Sequence, residues 1–208
     1  AMGTIFEELI RKFNEANNEE AGEHYTPRDV VELMADLIFV PIKDQIKDAT
    51  YSCYDGACGT GGMLTVAQDR LLELAEETGK QVSIHLFGQE VHISYGSTLS
   101  MDGNAARQFD FMLSNPPYGK TWKVDAEKMG GKKDILDSRF NAYLEDGTQL
   151  AMIPRASDGQ LLFLLNNAAK MKTDTPLGSR IAEVHNGSSL FTGDAGSGES
   201  NARRYLIE

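Results

Sequence analysis

The sequence predicts an α/β fold, with a mostly parallel central sheet and helices on both faces. Three stretches predict it. Residues 50–54 form a strand candidate that runs into Asp55-Gly56-Ala57-Cys58-Gly59-Thr60-Gly61-Gly62, and residues 63–74 then carry Leu64, Ala67, Leu71 and Leu74 at helical spacing. Residues 82–87 form a second strand candidate, followed by Gly88-Gln89-Glu90. Residues 109–113 form a short buried strand candidate that ends in Ser114-Asn115-Pro116-Pro117-Tyr118-Gly119. Strands alternating with helical patterns are the mark of a parallel sheet with crossover helices.

The other elements follow in order. Residues 4–17 place Ile5, Leu9, Ile10 and Phe13 on one helical face. In Gly22-Glu23-His24-Tyr25-Thr26-Pro27-Arg28-Asp29, Thr26 is placed to cap a helix and Pro27 to open it. Val30, Val31, Leu33, Met34, Leu37 and Ile38 then supply an apolar stripe. Residues 93–98 are a third strand candidate, but too few residues separate them from Glu90 for a parallel crossover, which needs a dozen or more. A segment absent between 90 and 95 is the expectation. Residues 120–141 are polar, with Gly130-Gly131-Lys132-Lys133 at their centre, and read as a long mobile loop. Residues 149–153 are a strand candidate, 161–171 a helix, and 181–186 and 203–207 strands, with a lid-like loop at 193–201. A chain that stops in an apolar strand suggests a fragment of a longer subunit, and Ala1 before Met2 suggests the remnant of a cleaved tag.

Composition narrows the function classes. Of 208 residues, 41% are hydrophobic and 25% charged, as in an ordinary globular protein. No apolar run approaches the roughly 18 residues of a membrane span, so no membrane partner is expected. Two cysteines, Cys53 and Cys58, are too few for a disulfide scaffold and point to a cytoplasmic setting. The histidines lack metal-ligand spacing, so no metal is expected. The net charge of −11 lacks the basic footprint of a protein that grips nucleic acid alone. Either nucleic acid is not the partner, or another chain supplies most of the grip.

Three features carry chemistry. The glycine turn between strand and helix lets backbone approach a ligand. It lacks the Lys-Ser/Thr ending of a phosphate-binding P-loop, which argues against a nucleotide triphosphatase. Glu90, after the second strand, is the expected partner of ribose hydroxyls in a Rossmann-like crevice. Asp55 would repel phosphate, so a cationic cofactor bearing a ribose fits better, and S-adenosyl-L-methionine is one. At Asn115-Pro116-Pro117-Tyr118 two prolines make a rigid strand exit. It offers an amide, carbonyls without local partners and an aromatic ring, a set suited to a planar ligand with an exocyclic amine.

Taken together and in this order, Tyr-Thr-Pro-Arg, Asp-Gly-Ala-Cys-Gly-Thr-Gly-Gly-Met-Leu, Gly-Gln-Glu and Ser-Asn-Pro-Pro-Tyr-Gly resemble the amino-group DNA methyltransferases. More narrowly, with residues 178–194, they resemble the modification subunit of type I restriction–modification systems. The resemblance spans about residues 20–208 and implies a Rossmann-like S-adenosylmethionine-dependent methyltransferase fold. It implies a catalytic domain over 22–208, with the helical spacing of 4–17 setting an N-terminal helical segment over 1–21 before it; the family's own N-terminal helical domain and C-terminal helical tail are expected to be absent or curtailed.

The resemblance assigns Glu23, His24, Tyr25, Thr26, Pro27 and Arg28 to the methionine end of the cofactor. It assigns Asp55, Gly56, Ala57, Gly59, Thr60, Gly61 and Gly62 to the turn that wraps it, and Glu90 to the ribose. Ser97 stands where a longer polar residue often meets the cofactor adenine. Gly56 stands where proline is frequent, and the expected result is a looser turn. Asn115, Pro116, Pro117 and Tyr118 would form the catalytic motif. The Asn115 side chain and the Pro116 carbonyl would accept the hydrogens of adenine N6, and Tyr118 would stack on a base flipped out of DNA. Partners implied are DNA, a specificity subunit that reads the sequence and a restriction subunit. Lys120, Lys123, Lys132 and Lys133 are the lysines expected near the flipped base. Two alternatives stay open here: N-methylation of a protein glutamine or of RNA, and a non-catalytic cofactor-binding scaffold.

Overall fold

The structure is a computed structural model that describes residues 26–89 and 97–208. The expected helix at 4–17, Glu23, His24, Tyr25, Glu90 and the connection at 90–95 lie outside the described residues.

The described chain begins with helix α1 (Arg28–Phe39), which runs into a 3-10 turn, Val40–Gln45. Strand β1 (Ala49–Asp55), helix α2 (Gly62–Glu77) and strand β2 (Val82–Gly88) follow. Next come β3 (Phe111–Ser114), α3 (Lys123–Lys128), β4 (Asn141–Tyr143) and β5 (Gln149–Ala151). The remainder is α4 (Gln160–Ala169), β6 (Arg180–Glu183), α5 (Ser188–Phe191) and α6 (Gly198–Ile207).

Among the described residues, four strands form the central sheet in the order β2-β1-β3-β6. All are parallel: β1 pairs with β2 from Ala49↔Val82 to Asp55↔Gly88, β1 with β3 at Cys53↔Phe111, and β3 with β6 from Phe111↔Arg180 to Ser114↔Glu183. Parallel strands end on the same edge, so Asp55, Gly88, Ser114 and Glu183 share it. The chain leaves β1 toward β2 on one side and returns to β3 on the other. The crevice at such a reversal is where open α/β sheets bind ligands.

Side-chain alternation sorts the strands onto two faces. Tyr51, Cys53, Phe111 and Leu113 pack against Val31, Met34, Ile38 and Phe39 of α1 and Leu64, Ala67, Leu71 and Leu74 of α2. Tyr54 and Met112 point the other way with Phe109 and Ile181, and the Tyr54 and Phe109 rings stack at 4.6 Å. The helical periodicity of α2 and of Val31, Met34 and Ile38 in α1 therefore reflects burial against one sheet face, whereas Leu33 and Leu37 of the expected stripe are exposed.

Four sequence expectations change. The polar stretch 120–141 is not a free loop: it contains α3, and Trp122, Ile135 and Phe140 are buried in a second core with Leu150, Met152, Leu161, Leu162 and Ala202. Arg139 from this stretch donates to the carbonyls of Thr98 (3.0 Å) and Leu99 (2.7 Å). Residues 149–153 give only the short β5, which pairs antiparallel with β4 in a separate two-stranded sheet. Of residues 93–98, Ser97 and Thr98 are described, and they belong to a turn rather than a strand. Residues 203–207 are helical: Ser197 caps α6 by accepting the Ser200 N–H at 3.3 Å, and Ala202 docks into the second core. That cap converts an apolar Tyr-Leu-Ile run, which by itself suits a strand, into a helix end.

Candidate functional site

The glycine turn is fixed at both ends. Asp55 is buried, and its Oδ1 accepts the Ala57 N–H at 2.9 Å while its carbonyl accepts the Gln89 N–H at 2.9 Å. The Cys58 N–H returns the contact to the Gln89 carbonyl at 3.1 Å, so the turn and the end of β2 are laced together. Gly59 and Gly61 have φ of +49° and +81°, a region that side chains other than glycine adopt at a cost. Among the described residues a Cβ at either would meet nothing within 4 Å, so these glycines answer to backbone conformation. Gly61 then caps α2, with its N–H on the Cys58 carbonyl at 2.7 Å.

Gly56 is tethered rather than loose, which corrects the expectation. It donates its N–H to Ser114 Oγ at 3.2 Å, and its carbonyl accepts from Thr98 Oγ1 at 2.6 Å. A proline at this position would forfeit the first of these bonds. Ser114 and Thr98 are both fully buried, and sequence reasoning assigned neither to the site. Their hydroxyls join three segments that are far apart in sequence, and no local pattern marks such a contact.

One strand over, Asn115 leaves β3 with both ends of its amide engaged. Nδ2 donates to Thr26 Oγ1 at 2.9 Å, and Oδ1 accepts from the Tyr118 hydroxyl. Tyr118 also lies 3.3 Å from the Val184 carbonyl. Burial, and then the negative charge of Glu183, push the Tyr118 phenol up to about 12, so it stays protonated and donates. Pro116 is buried, and among the described residues no hydrogen bond ends on its carbonyl. Thr26, expected as a helix cap, does not cap: Pro27 holds the cap position of α1 without a side-chain bond. Its hydroxyl points inward and donates to Met63 Sδ at 3.8 Å.

Behind the motif lies a buried polar network. Asn167 Nδ2 donates to Glu183 Oε2 at 2.8 Å and approaches Ser114 Oγ at 3.5 Å. His185 Nε2 is 2.7 Å from Glu183 Oε1, and its Nδ1 is 3.0 Å from Ser189 Oγ. Burial raises the Glu183 carboxyl above its ordinary range against the opposing pull of His185 and Asn167. Ser189 is itself buried and donates to the Asn186 carbonyl at 3.0 Å.

The structure thus gathers Thr26, Asp55, Gly56 and Asn115–Tyr118 at one edge of the sheet, with Ala57 to Gly62 forming the adjoining turn. Arg28 is exposed and pairs with Glu32 at 2.9 Å along α1. Ser97 is buried and accepts the Leu99 N–H at 3.2 Å, a local turn contact. Lys120, Lys123, Lys132 and Lys133 are solvent-exposed.

Comparison with known proteins meets this geometry. Residues 1–94 and 90–208 match the N-6 DNA Methylase family, and the two matches overlap at residues 90–94. The chain is 29% identical over 152 residues to the type I restriction enzyme EcoEI methylase subunit of Escherichia coli, covering 61% of this chain and 29% of that protein. It is 25% identical over 173 residues to the type I restriction enzyme MjaIX methylase subunit of Methanocaldococcus jannaschii, covering 68% and 28%. The corresponding MpnII subunit of Mycoplasma pneumoniae is 26% identical over 157 residues, covering 60% and 27%. The chain therefore spans under a third of the length of these curated relatives. Among solved structures, a type I restriction-modification system methyltransferase subunit from Streptococcus thermophilus superposes with a TM-score of 0.68 at 25% identity, over 97% of this chain and 42% of that one. Because the matched stretches together take in the whole sequence, the chain belongs to the N-6 DNA Methylase family.

Proposed function

We propose that this chain transfers a methyl group from S-adenosylmethionine to adenine N6 in DNA, as part of the modification subunit of a type I restriction–modification system. The observation that carries the proposal is the Gly56 N–H bond to Ser114 Oγ at 3.2 Å, which locks the glycine turn beside the Asn115 motif at the sheet edge. A cofactor turn and an amine-binding motif held in fixed register are what a direct transfer between two bound molecules requires.

The turn residues suit the cofactor. Gly59 and Gly61 put no side chain on the crest, so backbone can approach a ligand there, and buried Asp55 favours a cation over a phosphate. Asp55 to Gly62 would hold the cofactor, with Glu90 on the ribose, Ser97 near the adenine, and Glu23, His24, Tyr25, Thr26, Pro27 and Arg28 beside the methionine end. When bound, S-adenosylmethionine supplies an electrophilic methyl group on a positively charged sulfur.

Adenine N6 is a poor nucleophile because its lone pair is delocalised into the ring. Asn115 Oδ1 and the Pro116 carbonyl accept its two hydrogens and favour the pyramidal nitrogen of the transition state. In the structure the Tyr118 hydroxyl occupies Asn115 Oδ1. An incoming amine displaces that hydroxyl, which frees the ring to stack on the extruded base. Pro117 stiffens the motif.

The charge of −11 supports delegation of DNA binding: a specificity subunit reads the sequence and holds the duplex, a restriction subunit joins, and the exposed Lys120, Lys123, Lys132 and Lys133 would serve the backbone near the base. No helix among the described residues is long and apolar enough to cross a membrane, and a cytoplasmic site of action follows from the proposed DNA substrate.

The test is transfer of tritiated methyl to adenine-methylation-free DNA by the assembled enzyme. Asn115→Ala is expected to lower the rate by about a hundredfold or more. Undiminished methylation by Asn115→Ala would sink the catalytic assignment. Label appearing in protein or RNA alone would move the substrate to that class.

A further inference from the structure

The Asn115 amide has two ends of similar shape and opposite polarity, and rotation about its terminal torsion exchanges them. Only the oxygen end can accept a hydrogen from an amine. We propose that Thr26 is a positioning residue for Asn115, holding the amide nitrogen so that the oxygen faces the reacting amine. This rests on the reading of Asn115 as the acceptor for that amine.

Three contacts define the orientation. The Thr26 hydroxyl has one hydrogen, and it is directed to Met63 Sδ at 3.8 Å. Its lone pairs are therefore what Asn115 meets, and Nδ2 donates to them at 2.9 Å. At the other end Tyr118 donates to Oδ1. Both neighbours favour one amide orientation. They differ when substrate arrives. An amine that binds Oδ1 displaces the Tyr118 hydroxyl, and among the described residues Thr26 is then the remaining side chain that fixes the amide. Thr26 stands just before α1, 89 positions from Asn115 in sequence. Met63 is the second residue of α2, which the glycine turn launches. The Met63–Thr26–Asn115 relay thus ties the acceptor to the turn proposed for the cofactor.

The assembled enzyme with Thr26→Val, which removes the hydroxyl at nearly constant volume, is compared with Thr26→Ser, which keeps it. Two quantities are read: the single-turnover rate of methyl transfer at saturating cofactor and substrate, and the cofactor dissociation constant by calorimetry. Thr26→Val is expected to lower the rate by about tenfold or more, since small errors in positioning are costly. The deficit persists once cofactor saturates, whatever the change in cofactor affinity, and Thr26→Ser recovers most of the rate. A Thr26→Val enzyme that reaches the wild-type rate once cofactor saturates would make Thr26 a cofactor ligand and overturn the proposal. So would a Thr26→Ser enzyme as slow as Thr26→Val. Scoring label on DNA, RNA and protein in parallel separates the two levels. A hydroxyl-dependent rate on RNA or protein upholds Thr26 and overturns the DNA substrate. An undiminished Thr26→Val rate on DNA overturns Thr26 and leaves the DNA substrate standing.

Discussion

Ser114→Ala removes one oxygen from the centre of the site. Ser114 has no exposed surface, and its Oγ accepts the Gly56 N–H at 3.2 Å with Asn167 Nδ2 at 3.5 Å. Alanine leaves the Gly56 N–H facing an apolar methyl group. Its other neighbours are committed: the Gly56 carbonyl is held by Thr98, and Asn167 keeps its bond to Glu183. A buried donor left without an acceptor costs about 1–3 kcal/mol. The deleted atom leaves a void smaller than a methyl group, so cavity formation adds little. For a chain of this size each 1 kcal/mol lowers Tm by roughly 2–4 °C. Urea unfolding of wild type and Ser114→Ala should therefore show a loss of about 1–3 kcal/mol at an unchanged m-value. The same variant should weaken cofactor binding, because the turn loses its tether to β3. A stability change below about 0.5 kcal/mol would refute the claim that this hydroxyl holds the two loops in register.

Further predictions follow from other contacts. A Cβ at Gly88 would lie 2.9 Å from Cys58 Sγ and 3.1 Å from its Cβ, so Gly88→Ala should cost about 1–3 kcal/mol by overpacking. Cys58→Ala in the same chain should return part of that loss in a double-mutant cycle, and strict additivity would show that the clash is not the cause. Glu183 titrates above its ordinary value of 4.5 because it is buried, so the folded chain holds that proton more tightly than the unfolded one. Stability from this group is complete below 4.5 and is lost as pH rises through the raised native value. Glu183→Gln should flatten that fall, and its stability relative to wild type should improve from pH 4.5 upward in urea titrations; a constant difference would refute it. Cys53 is buried and its thiol is pushed well above the ordinary thiol range, first by burial and then by Asp55. Thiol reagents should reach it only on unfolding, and rapid native labelling of both cysteines would contradict the packing of β1.

Much of this architecture was legible because the local signals agreed. Around β1, the glycine turn and α2, strand propensity, glycines at positive φ and helical spacing all point to one structure. The Asn-Pro-Pro-Tyr exit was legible because two prolines allow few other backbones. The misread segments are those whose local signal was weak or contrary. Residues 120–141 are polar on average, yet Trp122, Ile135 and Phe140 sit too far apart to form a period and become core only when they meet α4 and α6. Tyr205, Leu206 and Ile207 look strand-like until the Ser197 cap and buried Ala202 commit the segment to helix.

The sequence by itself determined the order of chemical parts: an acidic residue and glycine turn after one strand, an Asn-Pro-Pro-Tyr exit after another, and an acidic balance that points to partners. Those parts are contiguous, and their backbone preferences act over a few residues. The tertiary structure alone decided how the parts face one another. Thr26 reaches Asn115 across 89 positions, and Ser114 reaches Gly56 across 58. Such bonds come into being when the parallel sheet brings strand ends to one edge. Hydroxyl groups leave no periodic trace in a sequence, so their partners are known only once the chain has folded.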